Sequence, residues 1–194
     1  RQLNIGFLAP ANHSASTQEW RMALSEEVES RGGLVRPVSY VHPDDPVIAE
    51  ALSAEFDGLF FVQPQEVASV LRDRLARERR RLVMILNGAD ELGIPCVDGG
   101  APDAIDDLVD HLKNLGHRRV DCFNTLHRGL VVNERIDRWR SAIHRAGLDG
   151  ELHEQPCEFM GKPAPLACEL ARRVWADQPR ATAVFTPIVD SAIG

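Results

Sequence analysis

The stretch Ile94-Pro95-Cys96-Val97-Asp98-Gly99-Gly100-Ala101-Pro102, continuing through Asp103 to Gly116 and into His117-Arg118-Arg119-Val120, decides the fold. Ile94 to Val97 reads as a short strand. Asp98 to Pro102 follows as a flexible stretch with two turn glycines and a stiff proline. Ile105, Leu108, Val109, Leu112 and Leu115 then keep helical spacing until Gly116, a residue suited to end a helix. Val120 to Phe123 reads as the next strand. Strand, helix and strand in close succession build parallel sheets covered by helices. The flexible stretch marks a boundary, with residues 1–100 as an N-terminal lobe and 101–194 as a C-terminal lobe.

Upstream, the same alternation repeats. Ile5 to Ala9 reads as a strand, and Ser16 with Glu19 offers a capping box ahead of Trp20, Leu24 and Val28, with Gly32 as the stop. Leu34 to Tyr40 is a second strand. Asp45-Pro46 starts a helix with Ile48, Ala51, Leu52 and Phe56 on one face, closed by Asp57-Gly58. Leu59 to Val62 is a buried strand, Val67, Val70, Leu71 and Leu75 are spaced for a helix, and Leu82 to Leu86 is a fourth strand. Downstream, Ile136, Trp139, Ile143 and Ala146 mark a helix stopping at Gly147. Leu166, Leu170 and Val174 mark another, before a strand at Thr182 to Phe185. A right-handed crossover would bring a helix and further strands after Phe185, so the second lobe reads as incomplete.

Composition narrows the function classes. Hydrophobic residues make up 44% and charged residues 26% of the 194, proportions of a globular protein with a sizeable core. The apolar runs have strand length, far short of the roughly 20 residues that span a bilayer, and the start lacks the pattern of a signal peptide. A cytoplasmic protein is expected. Cys96, Cys122, Cys157 and Cys168 form no C-x-x-C pair and have no histidine at zinc spacing, so they read as reduced core thiols. The formal net charge of -7 repels a phosphate backbone and argues against duplex binding by this chain alone. Gly161-Lys162 and Gly99-Gly100 lack the glycine contexts of phosphate-binding loops. No Ser-His-Asp order, G-x-S-x-G elbow or supported carboxylate pair suggests an enzyme. Neither a cofactor nor a metal is expected.

Ile94-Pro95-Cys96-Val97, followed by His111-Leu112 and Leu115-Gly116-His117-Arg118-Arg119, resembles the "IP-x-V … HL-x-x-LGHRR-I" segment of the lactose-repressor and galactose-repressor family of bacterial transcription regulators. Glu134-Arg135-Ile136-Asp137-Arg138-Trp139-Arg140-Ser141-Ala142 and Ala146-Gly147-Leu148 look like that family's "ER-x-x-G-F-x-x-A … AGL" helix. Asn4-Ile5-Gly6, Asp57-Gly58-Leu59 and Ala181 to Phe185 are weaker matches. The resemblance implies a two-lobed periplasmic-binding-protein-like fold of type I, closing on a small-molecule effector such as a sugar or sugar derivative. It also implies a homodimer, DNA contact through a helix-turn-helix head outside this chain, and no membrane. A periplasmic solute-binding protein of the same fold is the rival reading, which the Leu-Gly-His-Arg-Arg segment disfavours.

The resemblance nominates Arg135, whose planar fork of donors suits two hydroxyls or a carboxylate. Ligands of open α/β sheets sit at strand carboxyl ends, and the loops there nominate Asn12, His13 and Ser14, then Gln63, Asn87, and Asn124 with Thr125. Amides offer a sugar both donor and acceptor. Trp20 could stack on an apolar sugar face or pack into the core. Asp190 could stand in for the acidic residue that the family carries after this strand, because Ile188-Val189 occupy its usual Asn-Asp positions. Gly100-Ala101 likewise replace a frequent Asp-Asn, implying a less polar pocket or an acidic function moved to Asp98 or Asp103. His111 and His117 suit a helix end, and Arg77-Glu78-Arg79-Arg80-Arg81 reads as solvated surface.

Overall fold

The computed structural model describes residues 2–11, 15–62, 69–85, 92–97, 103–158, 161–176 and 181–193. The chain divides into two compact units, Arg1–Gly99 and Gly100–Gly194. Each is a parallel sheet flanked by helices.

The first unit runs β1 (Asn4–Pro10), α1 (Ala15–Ser30), β2 (Leu34–Tyr40), α2 (Pro46–Ser53), β3 (Gly58–Val62), α3 (Ser69–Glu78), β4 (Leu82–Ile85) and β5 (Cys96–Val97). The strands lie in the order β2-β1-β3-β4-β5, and every pairing is parallel. Side chains alternate across a strand, which divides the apolar residues between two layers. Ile5, Phe7 and Ala9 pack with Val35, Val62, Ile85 and the Val28 of α1. Leu8, Tyr40, Leu59, Phe61 and Met84 face Ile48 and Leu52 of α2 and Leu71 and Leu75 of α3.

The second unit runs α4 (Ala104–Asn114), β6 (Val120–Asn124), α5 (Leu130–Ala146), β7 (Leu152–Glu154), α6 (Pro163–Trp175), β8 (Ala183–Phe185) and α7 (Val189–Ile193). Its described sheet has the order β7-β6-β8, again parallel. Val120 and Cys122 pack with Val109, Ile136, Trp139, Ile143 and Phe185. Burial pushes the Cys122 thiol up to about 12, so it behaves as a small apolar core group. Gly150 is fixed by close approach: a Cβ there would stand 2.3 Å from the Val120 carbonyl oxygen and 2.9 Å from the Trp139 ring.

Helix stops at Gly32, Gly116 and Gly147 are left-handed glycines with φ of 75°, 93° and 68°. Asp45 caps α2, its carboxylate accepting from the backbone N–H groups of Val47 (3.0 Å) and Val41 (2.9 Å). Those bonds hold its carboxyl below the usual range.

Four details differ from the sequence pattern. Ala15 is already helical, so Ser16 lies inside α1 and cannot serve as its cap. Helix α2 ends at Ser53, Phe56 packs on the core from beyond it, and Gly58 opens β3. The Asp57 carboxylate instead accepts from the Asn4 backbone N–H at 2.9 Å. Strand β7 has too short an apolar run to show a period. Arg81, placed by its neighbours in a solvated run, is half-buried and donates to the carbonyls of Leu52, Ala54 and Phe56 and to Glu78. The carbonyls that end α2 have no partner within their own helix, and this guanidinium supplies one.

Candidate functional site

In the second unit the carboxyl ends of three parallel strands gather one set of polar groups. Asn124, the last residue of β6, is fully buried. Its Nδ2 donates to the Leu126 carbonyl at 3.1 Å and to Glu154 Oε1 at 2.9 Å, while its Oδ1 accepts from the Leu126 N–H at 3.1 Å. Both amide hydrogens are therefore committed within the protein. Thr125 is also fully buried, and its hydroxyl lies 2.7 Å from that of Ser191 in α7. The Thr125 carbonyl accepts from the Cys157 N–H and the Asn124 carbonyl from the Gln155 N–H.

Arg128 stands in the loop between β6 and α5. Its Nε and Nη2 grip Glu154 Oε1 and Oε2 at 2.7 and 3.0 Å, and its Nη1 donates to Asn133 Oδ1 at 2.9 Å. The Arg128 guanidinium, and after it the Asn124 amide, hold the Glu154 carboxyl below the ordinary carboxylate range.

Arg135 lies on the second turn of α5, half-buried. Its Nη1 donates to the Pro187 carbonyl just past β8, at 2.7 Å. Among the described residues this is its one hydrogen bond, and no carboxylate lies within ion-pair distance of it. Arg119 and Arg128, also half-buried, are each matched by carboxylates. The remaining donors of Arg135 form a planar fork able to take two oxygens of a hydroxylated or anionic molecule. Asp190 is half-buried in the first turn of α7, beside Ser191.

The structure thus brings Asn124, Thr125, Arg135 and Asp190 to one end of one sheet. Trp20 belongs to the first unit, half-buried with Leu24 and Phe60 against the α1 face of its core. Asn12, His13, Ser14, Gln63 and Asn87 lie outside the described residues, as does Asp98. Asp103 is exposed ahead of α4, with Arg138 at 3.8 Å. His117 Nδ1 sits 2.7 Å from the Thr182 hydroxyl.

Sequence reasoning missed Arg128, Glu154 and Asn133. Arg128 lies in a loop that the strand-end rule covers and could have been nominated with Thr125. Glu154 could not have been, because β7 itself was not recognised. A second missed group lies at the start of the same strands. Asp121, buried at 2% exposure, accepts from Arg119 Nε and the Glu151 N–H and faces His153 Nε2 at 3.2 Å. Among the described residues no set of three His, Cys, Asp or Glu is placed to hold a metal ion, and no helix is long and apolar enough to cross a membrane.

No family model matches the chain, and no curated protein matches it in sequence. Solved structures match it in fold. The Cra transcriptional dual regulator from Pseudomonas putida, in complex with fructose 1-phosphate, superposes with a TM-score of 0.77 at 18% identity, covering 98% of this chain and 71% of that one. A LacI family transcriptional regulator from Bifidobacterium animalis subsp. lactis gives 0.78 at 15%, covering 97% and 68%. The trehalose repressor from Escherichia coli gives 0.75 at 16%, covering 100% and 72%. The chain has the α/β fold of these periplasmic-binding-protein-like regulator cores and spans about seven tenths of their length.

Proposed function

We propose that this chain is the effector-sensing core of a bacterial transcription regulator of the lactose-repressor and galactose-repressor family. It binds a sugar or sugar derivative at the carboxyl ends of its parallel strands and catalyses no reaction. The observation that carries the reading is Arg135: a half-buried guanidinium at the strand ends whose fork holds one carbonyl and keeps its other donors free among the described residues. The shared fold supports it, as does the matching "ER" segment on α5. Asp190 is a further candidate contact, and Asn12, His13, Ser14, Gln63 and Asn87 are candidates by sequence position alone. Asn124 and Thr125 serve by holding the backbone that carries the site.

In this reading residues 1–100 and 101–194 are the two lobes. The effector prefers one of two states of a cytoplasmic homodimer, and that preference changes how upstream helix-turn-helix heads meet DNA. A thermal-shift screen against sugars, sugar phosphates, polyols and nucleosides, repeated with Arg135→Ala, tests it. A compound that raises the melting temperature of the wild type and not of the variant is the expected result. A folded protein that responds to none of these classes overturns the carbohydrate reading, and monomers at micromolar concentration by light scattering overturn the dimer.

A further inference from the structure

The polar network behind Arg135 has its hub on another strand. Glu154 ends β7, and its two carboxylate oxygens receive three hydrogen bonds, one from the buried Asn124 amide and two from the Arg128 fork. Asn124 in turn holds both the N–H and the carbonyl of Leu126, fixing the first bend of the loop that leaves β6. Arg128 reaches forward to Asn133 in the first turn of α5. That helix has Gly129 at its N-cap with no side-chain cap, so its first turn takes its outside side-chain tie from Arg128. Arg135 stands two residues beyond Asn133 on the same helix.

We propose that Glu154 is a positioning residue for Arg135. Its carboxylate locks the β6–α5 loop and the first turn of α5, and so sets where the Arg135 fork points before any effector arrives. A guanidinium recognises oxygens by a planar pair of donors, so its usefulness depends on the angle at which its helix enters the site. The charge of Glu154 matters because a carboxylate accepts the whole Arg128 fork and an Asn124 hydrogen at once, which a neutral amide cannot do. This inference rests on the assignment of Arg135 to the ligand site only for its biological meaning; the geometry stands without it.

The test compares the 194-residue wild type with Glu154→Gln, Glu154→Ala and a control, Glu151→Ala, which cuts the Arg119 pair just ahead of the same strand. NMR follows the Arg135 Nε–Hε resonance and the exchange of two amides, Leu126, bonded to Asn124, and Asn133, bonded to Gly129. Glu154→Ala is expected to speed exchange at both amides about tenfold or more and to broaden the Arg135 resonance. Glu154→Gln, which keeps the shape without the charge, falls between, and it carries the comparison alone should the alanine variant not fold. Glu151→Ala leaves all three probes near wild type. Equal responses to the Glu154 and Glu151 variants, or unchanged amides in Glu154→Gln and Glu154→Ala, overturn the proposal.

The thermal-shift screen separates the two readings. A sugar or sugar phosphate response lost in Arg135→Ala and kept at full strength in both Glu154 variants leaves the sensor standing and overturns the positioning role. The absence of any response overturns the carbohydrate reading, and the NMR comparison then decides the positioning role by itself.

Discussion

The two units tie their strand ends together by different means. In the first unit the Tyr40 hydroxyl, fully buried at the end of β2, donates to the Val62 carbonyl at the end of β3, 2.9 Å away. The Ala11 N–H donates to the Tyr40 carbonyl, and the Tyr40 ring meets Phe61 edge-on with centroids 6.2 Å apart. That tie is neutral and dry, and burial pushes the phenol well above its ordinary range, so it stays protonated. In the second unit the corresponding ends are joined by Asn124, Glu154, Arg128 and Asn133, a charged set whose ion-pair partners are 36% and 31% exposed. A neutral buried tie answers to packing; a charged one at the surface also answers to protons and salt. Among the described residues, the unit that holds Arg135 is therefore the one whose strand-end tie a change of charge can loosen.

If the units differ only at their strand ends, their cores should respond alike. Trp139→Ala in the second and Phe61→Ala in the first each remove a fully buried aromatic ring. Each is expected to cost about 3–5 kcal/mol in a urea titration. A much smaller loss for Trp139→Ala would break the comparison, placing the second unit's stability in its charges. Tyr40→Phe removes one buried hydrogen bond and keeps the ring, for a loss of about 1–2 kcal/mol that should not vary from about pH 5 to pH 9.

Glu154→Gln should behave differently with pH. Because the folded carboxyl titrates below its ordinary value of 4.5, its contribution is complete above that value and is lost as the pH falls through the folded value. The melting-temperature gap between wild type and Glu154→Gln is expected to be widest near neutrality and to close below about pH 4. A gap that stays constant into acid would show that shape, not charge, makes the tie. The smallest effect expected is that of salt. Raising sodium chloride from about 0.1 to 1 M shortens the screening length to about 3 Å. It should modestly speed amide exchange at Leu126 while leaving Ala11 unchanged, and equal responses would erase the distinction.

The helices and buried strands were legible because burial on one or both faces imposes a period on the chain. Ile136, Trp139 and Ile143 announced α5, Gly147 ended it, and Asp45-Pro46 began α2 where a cap and a fixed φ were needed. Arg135 could be nominated because it lies within a motif. Beta strand β7 stayed hidden because three residues at a sheet edge are too few to display a period.

The sequence by itself determined which segments fold and which of their faces turn inward, since both follow from apolar spacing and from the few residues that tolerate a turn. Only the tertiary structure decided which polar groups are free. Asn124 and Arg135 look equally available as a sequence, yet the amide is spent on Leu126 and Glu154, and among the described residues the guanidinium keeps donors to spare. Glu154 lies 26 residues from Arg128 and 30 from Asn124. The parallel crossover through α5 brings them together, and no local spacing encodes such a meeting because the intervening helix sets the distance.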